Sequence, residues 1–305
     1  MRLPRHVTVV EVGPRDGLQN EAVTLSVEDR VAFCDRLIAA GLPVVEVGAF
    51  VSPKRVPQMA GSDEVLRRVA KPLGVRLPVL VPNREGYGRA RAAGAREIAV
   101  FTAASETFSR KNTNASIDES FTRFAAFVPE AKGEGLRVRG YVSTAFGCPY
   151  EGAVPPAHIL AVTLRLFEAG CDEVSIGDTI GVAVPTQVAE VVGRLSEAVP
   201  AGRLAVHFHD TRGTALANVL AALQQGVSVV DSSAGGLGGC PYAPGASGNL
   251  ATEDLLYMLH GMGIETGADL AAVAEASRSL AARLGRVPPS RYLQAGAPSV
   301  PKAAP

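Results

Sequence analysis

The chain has 305 residues, 47% of them hydrophobic and 20% charged, which is enough apolar material for one large core or two modest ones. Lys and Arg number 30 and so do Asp and Glu, with no basic stripe interleaved with aromatics, which argues against nucleic acid and anionic membrane as partners and leaves small anionic ligands open. Met1–His6 runs into the first strand without an apolar signal core, and the long uncharged stretches elsewhere carry Asn, Gln, Gly and Pro, so a cytoplasmic protein without a membrane span is expected.

Apolar runs rich in β-formers follow one another at a fairly even spacing: Val7–Val12, Val44–Val47, Arg76–Val81, Ile98–Thr102, Val138–Ser143, Glu173–Ile176, Leu204–His209 and Val227–Asp231. Between them lie segments with apolar residues three and four apart, among them Val27–Ala40, Phe121–Ala131, Leu160–Ala169, Val188–Ala198 and Ala215–Gln224. Strand and helix alternating through the chain predict a parallel (β/α)8 TIM barrel. A doubly wound open sheet is the alternative, but no GxGxxG follows the first strand and no break marks a second domain. We expect a single catalytic barrel over residues 1–290 with an additional C-terminal helical segment at Asp269–Leu284, then a Pro- and Ala-rich tail over 291–305 expected to be disordered.

Chemistry in such a barrel gathers at the carboxyl ends of the strands. Polar residues stand there: Arg15-Asp16, Glu46, Asn83, Ser105-Glu106, Ser143-Thr144, Asp178-Thr179 and His207-Phe208-His209-Asp210. Side chains alternate faces along a strand, so His207 and His209 point the same way, as two ligands gripping one metal ion must. His6, His158 and His260 carry no partner pattern and read as surface residues.

The cysteines Cys34, Cys148, Cys171 and Cys240 are far apart and lack CxxC spacing, which fits reduced thiols. Cys34 and Cys171 read as small buried hydrophobes. Cys148 and Cys240 each sit in a Gly-Cys-Pro-Tyr loop, where an exposed thiol beside a metal invites a chemical role. The second of these loops, Ser232 to Asn249, is the longest irregular stretch, of the kind used as a lid or binding loop.

The segment Val10 to Glu21 with its Gly-Pro-Arg-Asp-Gly core, the His-Phe-His-Asp strand end and Gly236-Leu237-Gly238-Gly239-Cys240-Pro241-Tyr242 together resemble 3-hydroxy-3-methylglutaryl-CoA lyase. Phe50 to Lys54, Gly177 to Gly181 and Ser247 to Asp254 extend the resemblance over nearly the whole chain. It implies metal-dependent cleavage of (S)-3-hydroxy-3-methylglutaryl-CoA to acetyl-CoA and acetoacetate. It also implies a homodimer serving leucine or related branched-acid breakdown, and a divalent cation held by Asp16, His207, His209 and Asn249. The reaction removes a proton from the C3 hydroxyl and leaves negative charge on a thioester enolate, which suits Mg2+ or Mn2+ on mixed oxygen and imidazole ligands, although imidazole also accepts Zn2+ or Co2+.

Roles follow from the same resemblance. Arg15 stabilises the enolate oxygen or makes a salt bridge to Glu46 or Asp16, and both roles are compatible. Asp16, alone or with His207, takes the hydroxyl proton, or else merely forms the turn before Gly17. Glu46 orients Arg15 or Asp16. Cys240 protonates the enolate, with Cys148 as its rival. Asp178 either binds a histidine or caps a helix, and Ser109-Arg110-Lys111-Asn112 is a charged loop that meets the CoA phosphates or is simply solvated. Ala22, Ala49 and Arg55 depart from the common family pattern, which keeps a longer 3-hydroxy-3-alkylglutaryl-CoA open as substrate. A Claisen-condensing synthase is the rival reaction, and it carries an extra C-terminal region for which 305 residues leave little room. A non-catalytic homologue is expected to lack at least one of Arg15, Asp16, His207, His209, Cys240 and Asn249, and all six are present.

Overall fold

The computed structural model describes residues 3–239 and 248–296. Nine parallel strands form one curled sheet: β1 (Thr8–Glu11), β2 (Val44–Val45), β3 (Gly48–Ala49), β4 (Val79–Leu80), β5 (Glu97–Ala103), β6 (Arg137–Ser143), β7 (Glu173–Asp178), β8 (Leu204–Phe208) and β9 (Val229–Ser232). Their order is β2-β1-β9-β8-β7-β6-β5-β4-β3. Between β2 and β3 the ladder does not stop, because Glu46 N–H donates to Glu11 O (2.9 Å) and Val47 N–H to Pro78 O (3.1 Å). The two pieces are therefore the ends of one strand that closes the sheet, and nine segments make an eight-stranded TIM barrel. The expected strand at Arg76–Val81 shrinks to two residues since Pro78 and Pro82 offer no N–H to a ladder.

Alternation along the strands divides the apolar residues in two. Val9, Val45, Val206 and Val230 belong to the main core between sheet and helices, whereas Val10, Val12, Val44, Ala205 and Val229 form a separate small cluster. The second set shares the parity of Glu46, His207 and Asp231, so these side chains line the barrel axis with an apolar plug beneath them. At the amino ends of β5 to β7, Arg76, Arg137, Glu97 and Glu173 form an ion-pair network far from the site end.

Three expectations about helices need correction. The segment Phe121–Ala131 is two helices, Ile117–Ala125 and Val128–Gly133, because Pro129 cannot continue the first one. Ser109 to Asn112 is not a loop but part of the helix Glu106–Thr113. The tail folds at its start: Arg291–Ala295 is a helix whose first turn is capped by Asp254, which accepts from Ser290 Oγ (2.8 Å), Arg291 N–H (2.9 Å) and Tyr292 N–H (2.8 Å). The preceding helix, Leu270–Leu284, begins at Asp269 as the sequence predicts, with the Asp269 carboxylate accepting from Ala271 and Ala272 N–H.

Candidate active site

After β1 the chain makes a π-helical turn over Gly13–Gly17, in which Asp16 N–H (2.7 Å) and Gly17 N–H (3.2 Å) both reach Val12 O. Single turns of this kind recur at functional sites. Glycine is required at its end, because a Cβ on Gly17 would lie 2.8 Å from Leu237 Cβ and 2.9 Å from Ser233 Oγ. The turn sets Arg15 and Asp16 side by side at the carboxyl end of the barrel. Arg15 donates from Nε to Glu46 Oε2 (2.7 Å) and from Nη1 to Asp16 Oδ1 (2.6 Å), so both salt bridges form at once. The guanidinium also lies over the Tyr141 ring, 5.4 Å from its centre.

Across the barrel mouth His207 is the penultimate residue of β8 and His209 follows the strand's end, their ring centres 5.3 Å apart. His207 presents Nε2 to Asp16 Oδ2 at 4.0 Å and Nδ1 to Asp231 Oδ2 at 3.3 Å. One ligand atom from each of Asp16, His207 and His209 lies within 4.8 Å of the others. Asn249 joins them because the chain returning after β9 pairs its backbone with the end of β8: Leu250 N–H donates to Phe208 O (3.0 Å) and Asp210 N–H to Gly248 O (2.9 Å). It is the amide nitrogen of Asn249 that faces the site, donating to Asp16 Oδ2 and Leu237 O at 3.0 Å each.

The electrostatics are divided by position. Burial works against ionising Asp16, but Arg15, His207 and His209 together bring its carboxyl down to about 2. Burial and the neighbouring His207 drop His209 to about 4, leaving a neutral imidazole with a lone pair to give. His207 goes the other way: burial opposes its charge, yet the hydrogen bond to Asp231 and the field of Asp16 raise it. The potential between these two acids favours positive charge, whether a proton or a metal ion. His209 Nδ1 and Asn249 Oδ1 are buried with no partner among the described residues. A carboxylate, two imidazoles and orphaned buried polar atoms fit a divalent cation, and the site can hold one.

These groups open into a cavity of about 1010 Å3 whose wall includes Arg15, Asp16, His207, His209 and Gly239. Asn83, Ser143, Thr179 and Asn112 also line it. Cys240 lies outside the described residues. Cys148 is not an exposed loop thiol: it is 4% exposed, and its Sγ accepts from Ser105 Oγ (3.0 Å) and Tyr150 N–H (3.4 Å). Cys34 and Cys171 are buried as expected, burial pushing both thiols up to about 12. Asp178 caps the turn after β7, accepting from Val182 N–H (3.0 Å) and Ala183 N–H (2.9 Å), the second of the two roles its sequence position offered. Ser109 is buried with its hydroxyl on Ala115 O (2.8 Å), and Lys111 sits over the Tyr150 ring, so those two residues are spent on structure. His6, His158 and His260 are exposed.

Sequence reasoning missed the charged residues on the barrel axis. Arg139 is fully buried between Glu173 (2.7 Å) and Asp231 (2.6 Å) and donates to Tyr141 Oη (2.8 Å). Off the axis, on the face of β1 that carries Val9, Glu11 accepts from Gly13 N–H, Ala234 N–H and Thr252 Oγ, tying the π-turn to the loop after β9. The available signal was parity: Arg139, Tyr141 and Asp231 occupy inward positions of predicted strands, where an apolar side chain is the usual occupant.

Residues 6–280 match the HMGL-like family model. The chain is 57% identical over 294 residues to "3-hydroxy-3-methylglutaryl-CoA lyase, cytoplasmic" of Danio rerio, covering 96% of this chain and 88% of that one. A crystal structure of hydroxymethylglutaryl-CoA lyase from Pseudomonas aeruginosa superposes with a TM-score of 0.95 at 49% identity, covering 97% of this chain and 98% of that one. An HMG-CoA lyase from Acinetobacter baumannii in complex with coenzyme A and 3-methylmalate gives 0.94 at 36% identity, with full coverage of both chains.

Proposed function

The chain belongs to the HMGL-like family, and on that premise we propose that it cleaves 3-hydroxy-3-methylglutaryl-CoA to acetyl-CoA and acetoacetate. The observation that carries this reading is the meeting of Arg15, Asp16, His207 and His209 on one cavity wall, a permanent cation beside a site that can hold a second one. Asp16, His207, His209 and Asn249 would hold the metal in this reading, Asn249 offering the Oδ1 that has no partner among the described residues. Mg2+ or Mn2+ suits the set and, when bound, supplies positive charge that lowers the C3 hydroxyl's pKa and orients the hydroxyacid end.

The remaining chemistry belongs to the side chains. The hydroxyl proton passes to the Asp16–His207 pair, the two basic groups that share the cavity wall. As the bond between C2 and C3 breaks, its electron pair becomes the thioester enolate of acetyl-CoA, and Arg15 meets that charge with a guanidinium that burial works to weaken but Glu46 and Asp16 keep ionised. Glu46 holds Arg15 through Nε. A thiol then returns a proton to C2; we assign this to Cys240, whose neighbour Gly239 lines the cavity.

Further readings are a homodimer, residence in the cytoplasm and a place in leucine or related branched-acid breakdown. No described helix is long and apolar enough to cross a membrane. The test is a coupled assay for acetyl-CoA and acetoacetate, run with 3-hydroxy-3-methylglutaryl-CoA and its longer 3-alkyl homologues, with and without added Mg2+ or Mn2+. Release of neither product from any of these thioesters overturns the proposal.

A further inference from the structure

Asp231 has no task in the reaction as described, yet it is 1% exposed and stands at the barrel axis against a residue of the site. Parallel pairing of β8 with β9 puts it in register with His207. Three donors fix its carboxylate independently of the histidine: Arg139 Nη2 on Oδ1 (2.6 Å), Ser175 Oγ on Oδ2 (2.9 Å) and Arg139 Nη1 on Oδ2 (3.3 Å). Arg139 in turn is anchored by Glu173 and the Tyr141 hydroxyl. A pair serving only to fill the barrel would be complete with those bonds. Oδ2 nevertheless also faces His207 Nδ1 at 3.3 Å.

We propose that Asp231 is a positioning residue: clamped by Arg139 and Ser175, it takes the Nδ1–H of His207 and so keeps the Nε2 lone pair turned toward Asp16 and the cavity. The reasoning is one of donor and acceptor types. A carboxylate accepts only, so the ring nitrogen facing it carries the hydrogen, and a neutral imidazole then has its single lone pair on the other nitrogen. That other nitrogen lies 4.0 Å from Asp16 Oδ2. Without the carboxylate either tautomer is open to His207, and half of the choices turn N–H into the site. Carboxylate partners of ligating histidines are typically worth about tenfold to a hundredfold in metal affinity.

The inference rests on the proposed reading of Asp16 and His207 as site residues, so the experiment separates the two. In 15N-labelled protein at a pH where the ring is neutral, with His207 assigned by its disappearance in His207→Gln, wild type should show the Nδ1–H tautomer. Asp231→Asn keeps an oxygen for Arg139 and turns an amide N–H toward the ring. It should convert His207 to the Nε2–H tautomer, weaken Mn2+ binding in spin-resonance titrations by about tenfold to a hundredfold, and lower kcat with KM for the thioester within about threefold. Ser175→Ala removes a bond to Asp231 without touching His207, and should keep both the tautomer and the Mn2+ affinity. An Nε2–H tautomer in wild type overturns the proposal, and that measurement stands even if Asp231→Asn fails to fold. Unchanged Mn2+ affinity in a folded Asp231→Asn overturns it as well. By contrast, His207→Gln that binds Mn2+ like wild type defeats the reading of the metal site itself, whatever the tautomer.

Discussion

Replacing Arg15 by Gln perturbs catalysis and folding through different atoms, and the two effects can be read separately. Glu46 is fully buried, its Oε2 bonded to Arg15 Nε at 2.7 Å and its Oε1 without a partner among the described residues. Loss of the guanidinium leaves a buried carboxylate without its bonded partner and with only the more distant charge of Arg139, and removing one member of a buried pair costs about 3–5 kcal/mol. Catalysis loses a charged donor aimed at the developing enolate, worth about 3–4 kcal/mol or roughly 10^3 in kcat, with a smaller change in KM. Adding Glu46→Gln removes the stranded charge. The double variant should therefore regain most of the urea-unfolding free energy of wild type while kcat stays down by about 10^3. Stability from urea midpoints and turnover from the coupled assay, measured on wild type, both single variants and the double variant, complete the cycle. The reasoning is refuted if the double variant recovers turnover, or if Arg15→Gln raises only KM.

Removal of divalent cations by EDTA should abolish turnover and Mg2+ or Mn2+ should restore it, and full activity in a metal-free preparation would end the metal assignment; His209→Ala should weaken Mn2+ binding more than thioester binding. Cys240→Ser should cost about 10^2 to 10^4 in rate, whereas Cys148→Ser, buried against Ser105 and outside the cavity wall, should stay within about tenfold; the reverse ranking moves the acid to the loop after β6. Glu253 is fully buried, and burial pushes its carboxyl from 4.5 up to about 7, so the protonated form is favoured on folding. That contribution is complete below pH 4.5 and is lost as pH rises through 7, up to about 3 kcal/mol at about 1.4 kcal/mol per pH unit. Glu253→Gln cannot ionise, so its stability relative to wild type should increase from pH 5 to pH 8, and parallel pH dependences in the two proteins would refute the shift.

Local periodicity by itself determined much of this protein. A period of two puts His207 and His209 on one face, alternation of strand and helix points to the barrel, and the rule that strand ends carry the chemistry offers Arg15-Asp16, Glu46 and the histidine pair among several polar stretches, from which the family resemblance chooses. Those statements involve neighbours in sequence. Register and closure do not, and they decided the rest. Asp231 meets His207 across 24 residues only because β9 pairs with β8 in a particular frame, and Asp178, the acid whose position in sequence looked equally suitable, is consumed by its own turn. Asn249 reaches Asp16 across 233 residues because the chain returning after β9 pairs with the end of β8. The Gly-Cys-Pro-Tyr string around Cys148 reads as an exposed loop, yet its thiol is buried against Ser105, and burial is a property of what packs around a residue. Charge on the barrel axis was equally illegible: Arg139 is tolerable there only with Glu173 and Asp231 on either side, and those partners come from two other strands. Backbone pattern fixes which way a side chain points, and only the packed structure fixes what it points at.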